Sequence, residues 1–553
     1  MPGGNWKLEL ETAVKRFCYA SNVRQIHRDA WLLAILSGVL QILAFPLPNL
    51  YPLSWVAVAP LLMAVLRARE PENIRLPATL SQKFVPASAG QGFLLGYVSG
   101  IMWYAGTCYW VYHTMHLYGG LSAPAAAGIL VLFCLYLGLY EGLFGLTVAL
   151  LAGGSSGNSR RALFLSPFIW VALELARTRV SGFPWDLLGT AQVSNISLNR
   201  LATITGVYGL SFEIMLVNTV FAAAFLVGRE KRKVILIEAV VVAAALQLLA
   251  LIRPAPLRSN RTALLVQENI AILPPEKWTA EYLQSTLEDL NRLSSPPETP
   301  SRPKPSLVVW PESPAPFYVN DPRFRSVIAA VAERNNAYVV AGSLGEDPGS
   351  PPGGRLYNSA ALMSPQGKWV ARYDKVHLVP FGEYVPFKAL LGFAGGLTEA
   401  VGEFGRGSTR EPLQVDGYQL GVFICYESVF PDEVRQFARE GGEVFVNISN
   451  DGWYGDTGAY AQHLNQARMR AVENDRWLLR DTNTGVTASI DPYGRVVAQA
   501  PRKTRTALAA PYSLTSGTTF YTRHGDWFAY LCAIISVAAL LWRYRVPSRK
   551  VSS

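Results

Sequence analysis

Long apolar runs occupy the first 252 residues and recur once near the C-terminus. Each run contains at most one Asp, Glu, Lys or Arg. The runs are 31–45, 51–66, 91–119, 121–140, 162–176, 201–227, 234–252 and 527–542. A helix needs about 20 mostly apolar residues to cross a hydrocarbon core of about 30 Å, and uncharged flanks can complete the shorter runs. The pattern therefore predicts a bundle of eight transmembrane helices, seven before residue 254 and one near the C-terminus.

After residue 254 the pattern changes to short β-rich runs that alternate with amphipathic stretches. The predicted strands are 262–267, 306–310, 337–342, 418–425 and 443–448, and the predicted helices are 276–293, 321–336, 431–441 and 459–475. Strands that alternate with helices are typical of a layered α/β domain, and about 250 residues are enough for one such core.

These two patterns divide the chain into five predicted parts. They are a tail at 1–29, a seven-helix membrane region at 30–253, an extramembrane α/β domain at 254–515, an eighth membrane helix at 524–543 and a tail at 544–553. Proline-rich stretches at 295–305 and 347–353 indicate surface insertions in the α/β domain.

The charge distribution favours a membrane protein over a nucleic-acid-binding protein. The chain has 50 Lys and Arg against 40 Asp and Glu, and only 16% of its residues are charged. The segment 261–505 contains 25 basic and 28 acidic residues, so the positive excess lies in the membrane region and the tails. A basic groove for nucleic acid is therefore not expected.

Lys and Arg also predict the orientation of the spans, because basic loops stay on the cytoplasmic side. One set of loops and tails contains nineteen of these residues, and the alternate set contains two. Both termini are therefore predicted in the cytoplasm, with the α/β domain on the opposite face. A cleavable signal peptide is not expected, since the first apolar run begins only near residue 30.

Cys425 is the one cysteine in the predicted α/β domain. A solitary thiol there is either buried and inert or a nucleophile. It ends an apolar strand and precedes a helix that begins near Pro431. Such a turn can hold a thiol near helix amides and cations, which favour the thiolate. Because a free thiol has a pKa of about 8.5, a nucleophilic role requires a nearby base or cation.

Two further motifs contain such groups. Glu312 ends Trp310-Pro311-Glu312 after the apolar run 307–309, and Lys375 lies in YDKVHLVPFGEYVP. Strand ends at one edge of an α/β sheet converge on one pocket, so these residues could meet Cys425. A capping role for Glu312 and a solvated loop position for Lys375 remain alternatives at this point, since spacing alone does not assign a triad.

The sequence gives no reason to expect a metal or another cofactor. His113 and His116 lie three residues apart, without carboxylate or cysteine partners nearby in the sequence. A Gly-rich phosphate loop in the required context between a strand and a helix is also not evident.

The three motifs around Glu312, Lys375 and Cys425-Tyr426-Glu427 resemble the Glu-Lys-Cys triad of the nitrilase superfamily, the carbon–nitrogen hydrolases. The predicted spans and three further segments are similar to the membrane branch of that superfamily, the apolipoprotein N-acyltransferases. These segments are Gly182-Phe183-Pro184-Trp185, Gly206-Val207-Tyr208-Gly209 and the stretch that begins NISNDGWYGD at Asn447. The resemblance implies a nitrilase-like α/β sandwich beside the helical bundle.

The same resemblance implies an acyl transfer in two half-steps at the inner membrane of a bacterium. Cys425 is expected to attack an ester of a phospholipid donor, at the sn-1 position of phosphatidylethanolamine, and to form a thioester. The acceptor is expected to be the N-terminal α-amino group of diacylglyceryl-cysteine in an apolipoprotein. Glu312 would act as general base, Lys375 would stabilise the oxyanion, and the catalytic domain would lie in the periplasm.

Four supporting or substrate-binding residues are also implied by the resemblance. Glu383 would hold Lys375 or assist the base, Tyr426 and Glu427 would shape the pocket, and Trp278 would handle lipid. Anchoring at the membrane interface is the alternative for Trp278, because Trp favours that depth. The stretch 387–407, which is rich in Gly and Phe, is a candidate lid, with an ordinary surface loop as the alternative.

Two other functions remain open on the sequence. A membrane-tethered amidase of the nitrilase type would use water instead of an amine to release the acyl group from cysteine. A lipid-binding or transport protein would carry the outer domain as a scaffold without catalysis. The presence of all three triad residue types disfavours the second alternative.

Overall fold

The computed structural model describes residues 26–69, 85–153, 156–227, 229–252, 254–295, 304–313, 315–347, 354–384 and 404–545. Most of both predicted tails and most of both proline-rich stretches lie outside these ranges. The candidate lid at 387–407 also lies outside them, except for its last four residues.

Helices follow the apolar runs of the first half of the chain. Those of eight or more residues are α1 Arg28–Ala44, α2 Ala59–Leu66, α3 Ala89–Thr107, α4 Ala123–Ala152, α5 Ser156–Ala176, α6 Val207–Ala224 and α7 Arg229–Leu248. Small residues allow close packing in this bundle. At Gly96 of α3, a Cβ atom would collide with the carbonyl oxygen of Glu141 in α4, so the two backbones are nearly in contact there.

Three helical stretches in the described ranges are long and apolar enough to cross a membrane. They are Ala123–Ala152, Val207–Ala224 and Glu230–Leu251. Two shorter stretches, Tyr51–Leu66 and Trp527–Arg543, are also apolar. All five coincide with predicted spans, whereas a membrane crossing by all eight remains a prediction.

The α/β domain contains two six-stranded sheets packed face to face. The strands are β1 Arg261–Gln267, β2 Leu307–Val309, β3 Tyr338–Glu346, β4 Leu356–Met363, β5 Trp369–Asp374, β6 Leu413–Val415, β7 Tyr418–Ile424, β8 Val444–Ser449, β9 Leu478–Thr482, β10 Ala488–Ile490, β11 Val496–Gln499 and β12 Thr506–Tyr512. The first sheet has the order β12-β1-β2-β3-β4-β5, and the second has the order β11-β10-β9-β8-β7-β6. The layered α/β prediction is therefore confirmed, as two sheets.

Helices cover the outer faces of the sheets. They are α8 Ala280–Leu293 and α9 Pro322–Asn335 on the first sheet, and α10 Pro431–Arg439 and α11 Ala459–Asn474 beside the second. Because side chains alternate along a strand, Leu264 and Val308 pack under α8 and α9, whereas Leu265 and Val309 face the other sheet. A final helix, α12 Trp527–Arg545, follows the domain.

The strand directions place several chain segments at one edge of the sandwich. β1, β2 and β3 are parallel, β4 is antiparallel to β3, and β5 is antiparallel to β4. β5 therefore ends at the same edge as β2. In the second sheet, β7 and β8 are parallel and end together. The segments that follow β2, β5, β7 and β8 supply the candidate active site.

Candidate active site

Cys425 occupies a sharp turn between β7 and a short 3₁₀ helix, Cys425–Val429. Its φ of 51° lies in the left-handed region, which is uncommon for a residue with a side chain. Strained backbone of this kind persists where the surrounding structure enforces it, and it occurs often at active sites. The thiol is 7% exposed, so the turn holds it at the edge of the core instead of in free solvent.

Glu312 lies just beyond β2 and has hydrogen-bond partners on both carboxylate oxygens. Oε1 accepts from Asn358 Nδ2 at 2.8 Å and from Lys375 Nζ at 3.3 Å. Oε2 accepts from the amide of Asn450, just after β8, at 2.8 Å. Because Asn450 directly follows a strand of the second sheet, this bond also connects the two sheets at the site.

Lys375 follows β5 and is 1% exposed. Its Nζ donates to Glu383 Oε1 at 2.9 Å as well as to Glu312. Burial alone would lower the pKa of this ammonium, but Glu383 and Glu312 outweigh burial and raise the pKa above its ordinary value. Lys375 is therefore buried between two carboxylates, which rules out the solvated loop position.

The charges of Glu312 and Lys375 both act on the thiol of Cys425. Burial raises the pKa of Cys425 above its ordinary range, and the Glu312 carboxylate raises it further. The Lys375 ammonium opposes this shift. The structure thus brings the three predicted residues close together, with the Lys375 ammonium bonded to the Glu312 carboxylate and both charges acting on the thiol.

Asn358 in β4 is a member of the site that sequence reasoning missed. Its Nδ2 group donates to Glu312 Oε1 at 2.8 Å and to Glu383 Oε1 at 2.7 Å, so it bridges the two carboxylates. Glu383 Oε2 also accepts from the amide of Val379 at 2.8 Å. The one signal in the sequence is a polar amide side chain within a mostly apolar strand. Glu383 accepts a hydrogen bond from Lys375, and its role in holding Lys375 or assisting the base stays a prediction.

Glu427 fastens the segment of Lys375 to the turn of Cys425. Its carboxylate accepts from Tyr373 Oη at 2.8 Å and from the amides of Val376 at 2.8 Å, His377 at 3.0 Å and Ile424 at 2.8 Å. Burial raises the pKa of this carboxyl, and these hydrogen bonds oppose the shift. Glu427 therefore joins the segment of Lys375 to the turn of Cys425, and its role in shaping the pocket stays a prediction.

Tyr426 connects the site to the loop that contains Gly182-Phe183-Pro184-Trp185. Its hydroxyl donates to the carbonyl oxygen of Gly182 at 3.0 Å, and its ring stacks near that of Trp185, with centroids 6.4 Å apart. The indole of Trp185 donates to Gln462 Oε1 on α11 at 2.8 Å. The candidate nucleophile thus lies where the helical bundle and the α/β domain meet.

Trp278 lies in the segment before α8. It is partly buried, packs against the apolar cluster under the first sheet and lies 5.3 Å from the ring of Tyr282. This position is on the helical side of that sheet, and a role in lipid handling stays a prediction. In the part of the chain that the structure describes, no group of three or more His, Cys, Asp or Glu side chains is placed to hold a metal ion.

Comparisons with known proteins match both halves of the chain. A family model described as carbon-nitrogen hydrolase matches residues 263–517, and one described as the apolipoprotein N-acyltransferase N-terminal domain matches residues 37–220. Among solved structures, an amidase from Nesterenkonia sp. matches 50% of this chain and 98% of its own at 19% identity, with a TM-score of 0.34.

Curated relatives match nearly the whole chain. An apolipoprotein N-acyltransferase of Geobacter metallireducens is 36% identical over 535 residues, which cover 94% of this chain and 96% of the relative. One of Methylococcus capsulatus is 34% identical, over 91% of this chain and 94% of its own. The chain therefore belongs to the apolipoprotein N-acyltransferase family.

Proposed function

We propose that this protein transfers an acyl chain from a phospholipid to an apolipoprotein, and so completes lipoprotein maturation. The donor ester is the sn-1 ester of phosphatidylethanolamine, and the acceptor is the N-terminal α-amino group of diacylglyceryl-cysteine. The observation that carries the proposal is the hydrogen-bonded pair of Glu312 and Lys375, which acts on a strained, nearly buried Cys425.

In the first half-step, Cys425 Sγ attacks the ester carbonyl carbon while Glu312 takes the thiol proton. The carbonyl oxygen becomes an oxyanion, which the Lys375 ammonium stabilises. The amide of Tyr426 is a second donor, because the first amides of a helix have no partner within that helix. When the intermediate collapses, the ester C–O bond breaks and Glu312 returns its proton to the leaving lysophospholipid.

In the second half-step, the α-amino nitrogen of the acceptor attacks the thioester carbonyl. Glu312 takes a proton from this nitrogen, the C–S bond breaks, and the proton passes to Cys425 Sγ. An amide is formed and the free thiol is restored. A covalent thioester divides one difficult transfer between two lipids into two easier steps, so both lipids use one pocket in turn.

The position of the site next to the helical bundle supports lipid substrates. Exposing an acyl chain to water costs about 0.8 kcal/mol for each CH₂ group, so a site at the level of the membrane avoids a large penalty. Tyr426 and Trp185 place the nucleophile against a loop of the bundle. This placement favours a phospholipid that enters from the bilayer.

The proposed topology is that of a multi-pass protein of the bacterial inner membrane. Seven helices in 30–253 and an eighth in 524–543 cross the bilayer, the catalytic domain at 254–515 lies in the periplasm, and both tails are cytoplasmic. The large excess of Lys and Arg in one set of loops supports this orientation.

The test uses the full chain in vesicles that contain phosphatidylethanolamine with a labelled sn-1 acyl chain and a diacylglyceryl-cysteine peptide. The expected products are N-acylated peptide and lysophospholipid in equal amounts, both absent with Cys425→Ala. Labelled free fatty acid without peptide modification would contradict the proposal and indicate an amidase-like hydrolysis. If N-acylated peptide, lysophospholipid and free fatty acid are all absent, a lipid-binding protein without catalysis would be favoured.

A further inference from the structure

His463 lies directly behind the nucleophile and is completely buried. It belongs to α11, and its Nε2 atom is 3.1 Å from the carbonyl oxygen of Cys425 and 2.8 Å from Ser428 Oγ. A carbonyl oxygen can only accept a hydrogen bond, so this contact is a hydrogen bond in the tautomer that carries its hydrogen on Nε2 and accepts from Arg480 Nη2 at Nδ1. In this tautomer, His463 donates to the backbone of the candidate nucleophile itself.

A network of buried polar side chains holds the opposite side of the imidazole ring. His463 Nδ1 is 3.0 Å from Arg480 Nη2 and 2.9 Å from Asp451 Oδ1. Arg480 donates to Asp451 Oδ2 at 2.9 Å, and Ser449 Oγ donates to Oδ1 at 2.8 Å. Burial would raise the pKa of the Asp451 carboxyl, but the Arg480 guanidinium opposes burial and the pKa lies below its usual range. The ring has little freedom to rotate.

The loops of the bundle fix the ring from a third direction. The indole of Trp185 stacks near the imidazole, with centroids 5.7 Å apart and planes at 23°. The preceding residue, Gln462, donates to the carbonyl oxygens of Pro46 at 3.0 Å and Thr107 at 3.1 Å, both in the bundle. Neighbouring residues of α11 therefore contact the nucleophile and the bundle.

The bond from His463 to Cys425 has a consequence for the neighbouring amide. A peptide unit is planar and trans, so its C=O and N–H point in opposite directions. Fixing the carbonyl of Cys425 on the buried side therefore fixes the direction of the Tyr426 N–H on the other side. The left-handed φ of Cys425 makes this peptide a strained unit that needs an external support.

We propose that His463 is a positioning residue that holds the Cys425–Tyr426 peptide so that the Tyr426 amide points at the oxyanion. This inference rests on the proposed function and assigns a residue outside the Glu312–Lys375–Cys425 group. His463 takes no proton from the substrate and touches no reacting atom. His463 should therefore accelerate the reactions of Cys425 that form an oxyanion. It should not change the rates of reactions of the same thiol that form none.

Two reactions of Cys425 distinguish this role from a general structural role. Acylation by phosphatidylethanolamine passes through an oxyanion, whereas alkylation by iodoacetamide displaces iodide at a saturated carbon and does not. Both rates are measured on the Cys425 peptide by mass spectrometry, with the full chain in vesicles. For His463→Leu, the expected result is acylation slower by about 100-fold, with alkylation within about twofold of the parent.

His463→Gln retains an N–H donor, so its acylation rate is expected to be about tenfold higher than that of His463→Leu. His524→Leu, which removes an exposed histidine, is the matched control and is expected to react like the parent.

Unchanged acylation in His463→Leu, or an equal fall in both of its rates, would overturn the proposal. If His463→Leu does not fold, a His463→Gln variant whose two rates change equally would overturn it. N-acylation of the peptide by Cys425→Ala would instead overturn the proposed function.

Discussion

Buried charged side chains near Cys425 have more hydrogen-bond partners than those in the neighbouring bundle loop. At the site, Glu312 and Glu427 each have partners on both carboxylate oxygens. In the loop, Asp186 is only 2% exposed, and neither of its carboxylate oxygens has a hydrogen-bond partner among the described residues. Arg177 donates to the carbonyl oxygen of Trp185 at 2.9 Å, but its Nη2 has no hydrogen-bond partner in the described part of the chain.

This difference separates buried charges that fix geometry from those that do not. A satisfied network in a site of low polarity is rigid, and the loss of one member leaves others buried without partners. A carboxylate without hydrogen bonds is costly to bury and positions nothing. We therefore expect neutral isosteres to be damaging around Cys425 and tolerated at Asp186.

The largest expected effect in this comparison is that of Lys375→Met. Loss of the ammonium removes an oxyanion donor and the cation shared by Glu312 and Glu383, so the initial rate of N-acyl peptide formation should fall by about 10²- to 10³-fold. Lys368→Met, in the exposed turn between β4 and β5, is the control and should retain the parent rate. A Lys375→Met rate within tenfold of the parent would refute the assigned role.

Glu427→Gln should have the next largest effect, mainly on stability. An amide in place of this carboxylate puts an NH₂ group among four donors, and the lost charge-assisted bonds should destabilise the fold by about 2–4 kcal/mol. The measurement is the thermal unfolding midpoint in detergent, with the exposed Glu440→Gln as control. An unchanged midpoint would mean that Glu427 does not hold the two segments together.

Glu268→Gln should have a smaller effect on stability than Glu427→Gln, and it should stabilise the protein instead of destabilising it. Glu268 follows β1, is completely buried, and has no hydrogen-bond partner on either carboxylate oxygen among the described residues. Burial raises the pKa of this carboxyl from an ordinary value of 4.5 to about 9, and Arg505 opposes the shift. The folded state therefore binds more protons than the unfolded state between pH 4.5 and 9, so the parent loses stability as the pH rises through this window.

The Gln side chain cannot ionise, and the variant should escape this loss. Its stability relative to the parent should increase by at least about 1 kcal/mol from pH 5 to pH 9, as read from unfolding midpoints. Glu276→Gln, on the exposed segment before α8, should show no such trend. A pH-independent difference between Glu268→Gln and the parent would show that the Glu268 carboxyl does not stay protonated in the folded state.

Asp186→Asn should have the smallest effect. Removal of a charge without hydrogen-bond partners should leave the stability within about 1 kcal/mol of the parent or raise it, and acyl transfer should stay within about threefold. The paired measurement is the unfolding midpoint and transfer rate of Asp186→Asn beside those of Glu427→Gln. Equal losses of stability and transfer rate in the two variants would show that the buried carboxylates of the two regions do not differ in importance.

The elements that sequence patterns predicted are those with one dominant periodicity. Apolar runs located the bundle helices, and all five predicted strands and four predicted helices of the α/β domain are present, with ends displaced by up to four residues. Strands such as β4 and β9 were not predicted because they contain buried polar side chains. Asn358, Arg480 and Asp481 interrupt the apolar pattern and have hydrogen-bond partners distant in sequence.

Only part of the candidate site could likewise be predicted from the sequence. Glu312, Lys375 and Cys425 follow strands, so their convergence could be expected from topology. Asn358 lies within a strand, and His463 acts on a backbone carbonyl from the middle of a helix. Local composition marks such residues only weakly, because their importance depends on which group lies opposite in the folded chain.

The most direct test of the central claim is mass spectrometry of the full chain after incubation with phosphatidylethanolamine of one acyl length and without acceptor. The account predicts a single acyl adduct on the peptide that contains Cys425, removed by hydroxylamine and absent from Cys425→Ala. Formation of N-acyl peptide by a protein that never shows this adduct, or the same adduct mass on Cys425→Ala, would contradict it.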